Sequence, residues 1–428
     1  MDRLPEGVNE ARSQTLRFGV WFSWAMVLDA KRVLAELSEL HRLTGDSEAG
    51  ARRVCWSEDW TRARAFLLER LEALGVEVER DAAGNLWALL EGESDRIVAV
   101  GSHLDSVPGG GWLDGALGVL AGLEVLRAAA AAGERPARTL ALVDWADEEG
   151  RFGRSLFGSA AAAGTLDLAA AAELVDADGH RVPDVLAAHG IELARVGEAG
   201  GRLERLDAYL ELHIEQGPVL ETRGEAVAAV TGTAGTERRR LRFTGRSGHA
   251  GTVPMALRRD PLAAVARTIL AVGETARRHG GVGTVGSVHA QPGIPTAIPG
   301  EVELWLDQRH PEPGPLAAMV EEALDAAAGA AREHDVALAV EPVWSIEPIP
   351  FDPRLVELAR AAAGGGEPIP SGALHDASEV ARAGVPTAML FVQSTGGVSH
   401  APDEDSRPEH LLAGIEALGR LAAQTLAG

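Results

Sequence analysis

The sequence is poor in cysteine and in basic charge. Its one cysteine, Cys55, excludes a disulfide within the chain and a cysteine-rich metal site. Because Cys55 stands beside Trp56 at the start of a helical pattern, we expect a buried structural thiol rather than a nucleophile. The formal net charge of -23 leaves no basic patch for a nucleic acid and repels anionic membranes, so we expect neither partner.

Long apolar runs are also missing. The segment LRFGVWFSWAMVLDA near the N-terminus is too short and too interrupted to span a bilayer. Acids in the leader and the lack of a small-residue cleavage site argue against a signal peptide. With 428 residues, 46% of them apolar and 24% charged, the chain predicts a cytoplasmic protein of two or three domains. Residues 1–28 form an N-terminal extension with no assigned role.

Apolar strand patterns alternate with helical patterns over residues 29–234 and 349–428. RIVAVGSH is typical of a buried strand, GALGVLAGLEVLRAAAAAG of a long helix, and TLALVDW of another buried strand. Such alternation predicts an α/β domain with a mixed, mostly parallel sheet that is covered on both faces.

Residues 235–348 have a different order of elements. RRRLRFTG, VGTVGSVHAQ, EVELWLDQRH and VALAVEPVW are strand patterns, and two helical patterns separate the first from the second and the third from the fourth. The order βαββαβ predicts a ferredoxin-like unit inserted into the larger domain.

Three consecutive acids follow the strand pattern TLALVDW, in the stretch DWADEEGRFG. Like charges at the end of a buried strand repel one another and resist desolvation. A solvated acidic loop is the plain alternative. Ligands of α/β folds bind at the carboxyl ends of strands, however, and further polar residues follow other apolar segments. These are His103, Asp105 and Asp114 in GSHLDSVPGGGWLDG, His213 in ELHIEQG and His400 in VSHAPDE.

Imidazole and carboxylate groups that converge in this way suit two adjacent divalent cations, such as zinc, manganese, cobalt or nickel. One carboxylate must bridge the two ions, and another must stay free to accept a proton from a water molecule. The neighbours Glu148 and Glu149 can divide these tasks, one as ligand and one as base. The carboxylate of Asp105 would accept the second ring N–H of His103. Each histidine alone is more often a surface or core residue, but their joint occurrence favours a metal site.

With these motifs in hand, the sequence resembles the di-metal amidohydrolase family of N-carbamoyl-L-amino-acid hydrolases, allantoate amidohydrolases and β-ureidopropionases. The family is related to the aminoacylases and exopeptidases. From about residue 30 onward the resemblance is carried by GSHLDSVPGGGWLDGALGVLAGLEVLR, EEGRFG, ELHIEQGPVLE, SGHAGTVPM, IPGEVELWLDQRH, SGALHDA and VSHAPDE. It implies a metallo-exopeptidase-like catalytic domain whose inserted unit serves as a lid and in dimerisation.

The resemblance also implies roles for single residues. One metal would be bound by His103 and His213, and the other by Glu149 and His400. Asp114 would bridge the two ions, and the peptide bond between Asp114 and Gly115 would be cis. Glu148 would be the general base.

Substrate residues follow from the same resemblance. Arg309, at the end of a strand pattern, would hold a substrate carboxylate, and Gln216 the ureido or carboxylate end. His249 would stabilise the tetrahedral intermediate from the neighbouring subunit of a dimer. The remaining expected contacts are Thr296, Gly372 and Ala373. The sequence departs from the family at Thr296, where asparagine is usual, and at Leu374, where glycine is usual.

These features predict a hydrolase of linear C–N amide bonds, with an N-carbamoyl-L-amino acid, allantoate or N-carbamoyl-β-alanine as the small-molecule substrate. The departures Thr296 and Leu374 keep open an aminoacylase-like or dipeptidase-like enzyme. A metal-binding homologue without catalysis is a further alternative. Lid closure would use hinges near residues 232–235 and 345–350.

Overall fold

The computed structural model describes residues 26–427, so most of the predicted N-terminal extension lies outside the described residues. This part of the chain contains α-helices and three 3-10 helices. The α-helices are Ala30–Thr44 (α1), Glu58–Leu74 (α2), Ala116–Ala131 (α3), Phe157–Ala163 (α4), Leu168–Ala172 (α5), Val182–Ala188 (α6), Val219–Arg223 (α7), Pro261–His279 (α8), Pro313–Glu333 (α9), Pro353–Ala362 (α10), Asp376–Arg382 (α11) and Pro408–Ala427 (α12). The 3-10 helices are Leu193–Arg205, Met255–Leu257 and Thr395–Gly397.

The strands form one large sheet, one smaller sheet and two short antiparallel pairs. They are Gly45–Asp46 (β1), Gly50–Ala51 (β2), Glu77–Arg80 (β3), Leu86–Leu90 (β4), Ser94–His103 (β5), Arg138–Trp145 (β6), Leu206–Ile214 (β7), Val227–Thr233 (β8), Gly235–Thr244 (β9), Gly248–His249 (β10), Val282–Gln291 (β11), Ala297–Ile298 (β12), Glu301–His310 (β13), Ala337–Ile346 (β14), Ile349–Pro350 (β15), Ile369–Ser371 (β16) and Thr387–Val392 (β17).

Four neighbouring strands, β17, β7, β5 and β6, run parallel through the centre of the large sheet. On one side β4 and β3 continue the sheet in antiparallel fashion, and on the other side β8 pairs antiparallel with β17. The prediction of a mixed sheet is confirmed, but the prediction that it is mostly parallel is wrong, because the parallel strands are confined to the centre. Residues 81–85, which connect β3 to β4, are too few for a crossover and can only join an antiparallel pair.

Helices cover both faces of the large sheet. The core on one face contains residues from α1, α2, α3, α10 and α12, and the core on the other contains residues from α4, α6 and α11. Because β6 and β17 are buried on both sides, their sequences are continuous apolar runs rather than alternating ones. Cys55 lies in the second core with 1% of its surface exposed, which confirms the prediction of a buried thiol.

The smaller sheet has the strand order β11-β13-β9-β14, and every neighbouring pair in it is antiparallel. Buried and partly exposed residues alternate along β13, because α8 and α9 cover one face of the sheet. Leu241, Phe243, Val302 and Leu304 belong to a core of this unit alone. The elements follow the ferredoxin-like order. The roles of the unit as a lid and in dimerisation stay predictions.

The chain passes from the large sheet to the small one between β8 and β9, and it returns between β14 and β15. The predicted hinges at residues 232–235 and 345–350 fall on these two crossings, and a hinge motion there stays a prediction. Within residues 26–427, no helix combines the length and the apolar character that crossing a bilayer requires. The cytoplasmic location also stays a prediction.

Candidate metal centre

Predicted site residues gather at the carboxyl ends of the four central strands. His103 is the last residue of β5, and Glu148 and Glu149 come shortly after the end of β6. His213 lies near the end of β7, and His400 lies in the loop that follows β17. Since these strands are parallel, their carboxyl ends meet at one edge of the sheet, where ligands of α/β folds bind.

Asp114 lies between two groups of ligand-forming side chains. Its Oδ1 is 3.0 Å from Nε2 of His213 and 3.8 Å from Nε2 of His103. Its Oδ2 is 3.3 Å from Nε2 of His400, and that nitrogen is also 3.3 Å from Oε2 of Glu149. One carboxylate therefore presents one oxygen to each group, which is the arrangement that a bridging ligand needs.

Three ligand atoms in this cluster are buried without a hydrogen-bond partner among the described residues. They are Oε1 of Glu149 and two atoms that lie 3.0 Å apart without hydrogen-bond geometry, Oδ1 of Asp114 and Nε2 of His213. A buried polar atom left unpaired costs about 1–3 kcal/mol, so native proteins rarely leave several together. Oxygen and imidazole nitrogen are suitable donors to divalent cations. The residues present therefore fit a pair of divalent ions.

The two histidines nearest the sheet have their rings oriented by backbone carbonyls. Nδ1 of His213 donates to the carbonyl of Ile214 at 2.9 Å, and Nδ1 of His103 donates to the carbonyl of Asp105 at 3.1 Å. In both rings Nε2 is directed at Asp114. Burial lowers the pKa of His103 to about 4. Burial also opposes the charged form of His213, but the carboxylate of Asp114 outweighs it and raises the pKa to about 9.

The adjacent glutamates point to different neighbours. Oε2 of Glu148 lies 3.7 Å from Nε2 of His103, whereas Glu149 lies against His400. Burial raises the pKa of both carboxyl groups well above the usual range; repulsion from Glu149 adds to it at Glu148, and repulsion from Asp114 at Glu149. Nearby cations would reverse this preference and ionise both. Bound divalent cations would thus offset the repulsion among the acids of DEEG.

Asp105 has a different task from the one we expected. Its carboxylate accepts the backbone N–H groups of Glu148 at 3.3 Å and Glu149 at 3.1 Å. The distance from this carboxylate to Nδ1 of His103 is 3.7 Å, too long for a hydrogen bond. The prediction that the carboxylate orients His103 is therefore wrong, because the two amides occupy it and the carbonyl of the same residue orients the ring.

Gly115 lies so close to His103 that no side chain fits there. A Cβ atom at Gly115 would be 2.4 Å from the imidazole, and its φ of 64° is in the left-handed region. The peptide bond between Asp114 and Gly115 is not cis, so that prediction is wrong. Among the described residues, the peptide bond between Gln291 and Pro292 is cis.

Three residues near the cluster have left-handed backbone conformations that are uncommon outside glycine. They are Asp147, Gln216 and His400, with φ angles of 57°, 57° and 56°. Such conformations are costly and cluster at functional sites, where the surrounding structure maintains them. They add independent support for a functional site at this edge of the sheet.

The chain is similar to known proteins over most of its length. Residues 99–424 match the model of peptidase family M20/M25/M40. The chain belongs to this family. It is 38% identical to an N-carbamoyl-L-amino acid amidohydrolase of Geobacillus stearothermophilus, over 92% of this chain and 97% of the relative. It is 32% identical to an allantoate amidohydrolase of Bacillus subtilis (strain 168), over 91% and 97%.

Solved structures give the same result. A hydantoinase/carbamoylase family amidase from Burkholderia multivorans superposes with a TM-score of 0.86 at 32% identity, covering 94% of this chain and 99% of that one. The resemblance to N-carbamoyl-L-amino-acid hydrolases and allantoate amidohydrolases that the motifs indicate is thereby confirmed.

In this member of the M20 family the predicted substrate residues form separate groups. Nη1 of Arg309 donates to the carbonyl of Gly372 at 2.7 Å, while its Nε donates to Asp307 at 2.8 Å. The small unit and the large one thus meet at two predicted substrate residues. Gln216 lies at the metal centre, where its amide donates to Oδ2 of Asp114 at 2.9 Å. Ala373 follows Gly372 in the same loop.

His249 and Thr296 lie together in the small unit. The backbone N–H of Ala250 donates to the carbonyl of Thr296 at 2.9 Å, and His249 pairs with Ala297. Both predicted residues are exposed, and Nδ1 of His249 accepts a hydrogen bond from the backbone N–H of Gly251. The structure therefore does not bring His249 to the metal centre of its own chain.

Glu404 is a site residue that the sequence reasoning missed. Its Oε1 accepts the backbone N–H groups of Leu113 at 3.1 Å and Asp114 at 3.0 Å, and its Oε2 accepts the hydroxyl of Ser399 at 3.0 Å. Burial, with repulsion from Asp114, raises its pKa to about 7. A Cβ atom at Gly111 would lie 1.9 Å from its carboxyl carbon. The sequence feature that could have identified Glu404 is its position as the last residue of the motif VSHAPDE.

Arg53 was missed as well. It is completely buried, and its Nε donates to the carbonyl of Leu104, between His103 and Asp105, at 2.7 Å. Burial lowers its pKa, and the nearby carboxylates, Glu404 foremost, counteract this. Arg53 therefore places a permanent positive charge behind the acidic centre. A single arginine in ARRVCWS carries no sequence pattern that could have indicated it.

Proposed function

We propose that this protein hydrolyses the linear C–N bond of a ureido acid, with N-carbamoyl-L-amino acids as the leading substrate class. The observation that carries the proposal is Asp114 placed between two ligand groups, with Glu148 beside them. The names of the relatives from Geobacillus stearothermophilus and Bacillus subtilis support the reaction class.

Two divalent ions would be held by the clustered residues. His103, His213 and one oxygen of Asp114 would hold the first, and Glu149, His400 and the other oxygen the second. Zinc, manganese, cobalt and nickel all suit this donor set. When bound, such ions polarise a substrate carbonyl and lower the pKa of a water molecule.

Glu148 would move the proton. Its carboxylate lies at the edge of the cluster and is expected to accept a proton from the attacking water, then to deliver it to the leaving amine nitrogen. The hydrogen bonds from the amides of Glu148 and Glu149 to Asp105 hold this turn in place.

Arg309 would bind the carboxylate of the substrate. Its guanidinium is oriented by Asp307 and lies on the carbonyl of Gly372. The neighbouring Ala373 and the amide of Gln216 would complete the contacts to the ureido end. Cleavage of an N-carbamoyl amino acid releases the amino acid, carbon dioxide and ammonia.

We further propose a homodimer formed through the small unit, with His249 acting at the partner's site. Large apolar side chains of the small unit are exposed, among them Met255 at 76%, Leu257 at 72% and Leu270 at 69%. A second copy of this surface would cover them. If sites are shared, mixing inactive His249→Ala with inactive Glu148→Gln restores activity. Strictly additive, negligible rates in the mixture would argue against sharing.

The decisive experiment is a substrate panel with metal-depleted protein reloaded separately with manganese, zinc or cobalt. Ammonia release is measured with N-carbamoyl-L-amino acids, N-carbamoyl-β-alanine and allantoate, and amine release with N-acetyl-L-amino acids. Ammonia from a ureido acid supports the proposal. Amine from the acetyl substrates alone would overturn the ureido assignment and favour the aminoacylase-like alternative, with Thr296 and Leu374 as the altered pocket residues.

A further inference from the structure

His375 is a buried histidine that lies directly against His213. The two ring centroids are 4.5 Å apart with an interplanar angle of 62°, and Phe391 borders His375 at 5.7 Å. His375 is 2% exposed. Because His213 is packed edge-on by this ring, any displacement of His375 changes the space available to His213.

The other side of His375 is joined to the loop of residues 371–374, which we name the substrate loop. Nε2 of His375 is 3.0 Å from the hydroxyl of Ser371. That hydroxyl donates to the carbonyl of Ala373 at 2.7 Å and accepts the N–H of Ala373 at 3.1 Å. Since its one proton is used on Ala373, the ring must donate to Ser371, which places the proton of His375 on Nε2.

The substrate loop also meets the small unit, since the carbonyl of Gly372 accepts the hydrogen bond from Arg309 at 2.7 Å. Contacts therefore run without a break from Arg309 through the substrate loop and His375 to His213. Those two end residues are the expected carboxylate clamp and an expected metal ligand.

We propose that His375 is a positioning residue that couples the substrate loop to His213. This inference rests on the proposed function of the same site. Its ring fixes the orientation of the His213 ring, and its Nε2–H fixes Ser371 and thereby the backbone of Ala373. A shift of the loop when Arg309 engages a substrate is transmitted to the metal centre through one rigid side chain.

Three variants separate the two contacts of His375. His375→Ala removes the ring and the hydrogen bond, whereas His375→Phe keeps an aromatic ring against His213 and removes only the hydrogen bond. Ser371→Ala removes the same bond from the loop side, together with the two hydrogen bonds between that hydroxyl and Ala373. Thermal unfolding of each variant shows that it is folded before the other measurements are read.

Calorimetric titration of metal-depleted protein with Mn²⁺ tests the contact with His213. We expect His375→Ala to weaken one of the two sites by about 10–100-fold, as is usual when the support of a ligand is lost, and His375→Phe to keep both affinities. Hydrogen exchange of the peptide containing Ala373, measured without metal, tests the loop. We expect hydrogen exchange of this peptide to be faster than in the wild type in both His375→Phe and Ser371→Ala.

Unchanged Mn²⁺ affinities in His375→Ala would overturn the positioning of His213, and unchanged exchange in His375→Phe would overturn the coupling to the loop. A wild-type protein that binds two Mn²⁺ ions but hydrolyses no ureido acid would refute the proposed function, while the variant effects would still support the positioning role. A wild-type protein that binds none of Mn²⁺, Zn²⁺ and Co²⁺ would overturn both.

Discussion

Replacing Glu148 with glutamine removes one buried carboxylate and changes little in the shape of the metal centre. The neighbouring Glu149 offers a matched control, because Glu149→Gln makes the same chemical change one residue away. The two side chains point to different neighbours, Glu148 to His103 and Glu149 to His400. If our assignments are right, the same substitution has different consequences at the two positions.

For Glu148→Gln we expect kcat to fall by about 10²–10⁴-fold, the usual contribution of a positioned general base, with both metal ions still bound. The metal-free variant should also be more stable than the wild type at neutral pH. Burial and the charge of Glu149 raise the pKa of Glu148 well above its usual range, and each unit of such a shift is worth about 1.4 kcal/mol. Removal of the carboxylate relieves that cost.

Three measurements check this reasoning. Ammonia release gives kcat, calorimetry with Mn²⁺ gives the number of bound ions, and denaturant unfolding without metal gives stability. Glu149→Gln should lose one metal site together with activity. The reasoning is refuted if Glu148→Gln keeps kcat within a factor of about ten of the wild type, or if it loses a metal ion, since the residue would then be a ligand.

The raised pKa values of Glu148 and Glu149 also set a pH dependence. A carboxyl group with a raised folded pKa contributes stability below its unfolded pKa of about 4.3, and this is lost as the pH rises through the folded value. Metal-free protein should therefore have a lower Tm at pH 8 than at pH 5. The increase in Tm on adding Mn²⁺ should be larger at pH 8 than at pH 5, and an equal increase at both pH values would count against the assigned pKa shifts. Glu404→Ala should weaken Mn²⁺ binding by about 10–100-fold, because the three hydrogen bonds that hold Leu113, Asp114 and Ser399 are lost, and Glu404→Gln should weaken it less. Equal Mn²⁺ affinities of Glu404→Ala and the wild type by calorimetry would contradict this. Arg309→Ala should raise KM for an N-carbamoyl amino acid at least about tenfold, because one bidentate ion pair with the substrate carboxylate is lost, and it should leave Mn²⁺ binding unchanged. An unchanged KM would exclude Arg309 as the residue that binds the substrate carboxylate.

Much of the architecture and the membership of the cluster follow from the sequence alone. Apolar runs and helical periodicity show which segments are strands, and the parallel arrangement then places His103, Glu148, Glu149, His213 and His400 at one edge. This works because each residue lies at the end of its own strand or in the loop after it, so local patterns determine its position. The mixed sheet shows the limit, since the direction of β8 and β4 depends on which neighbours they pair with.

Other parts of the site were decided only in three dimensions. Glu404 binds the backbone of Asp114 across 290 residues of chain, and Arg53 reaches the carbonyl of Leu104 across 51. His375 meets His213 through packing that no local spacing records, and the carboxylate of Asp105 was taken by amides rather than by the nearest imidazole. A pattern in sequence reports which groups can ionise or bind a metal. Which of several equally suitable partners each group finds depends on distances that exist only after the layers have packed.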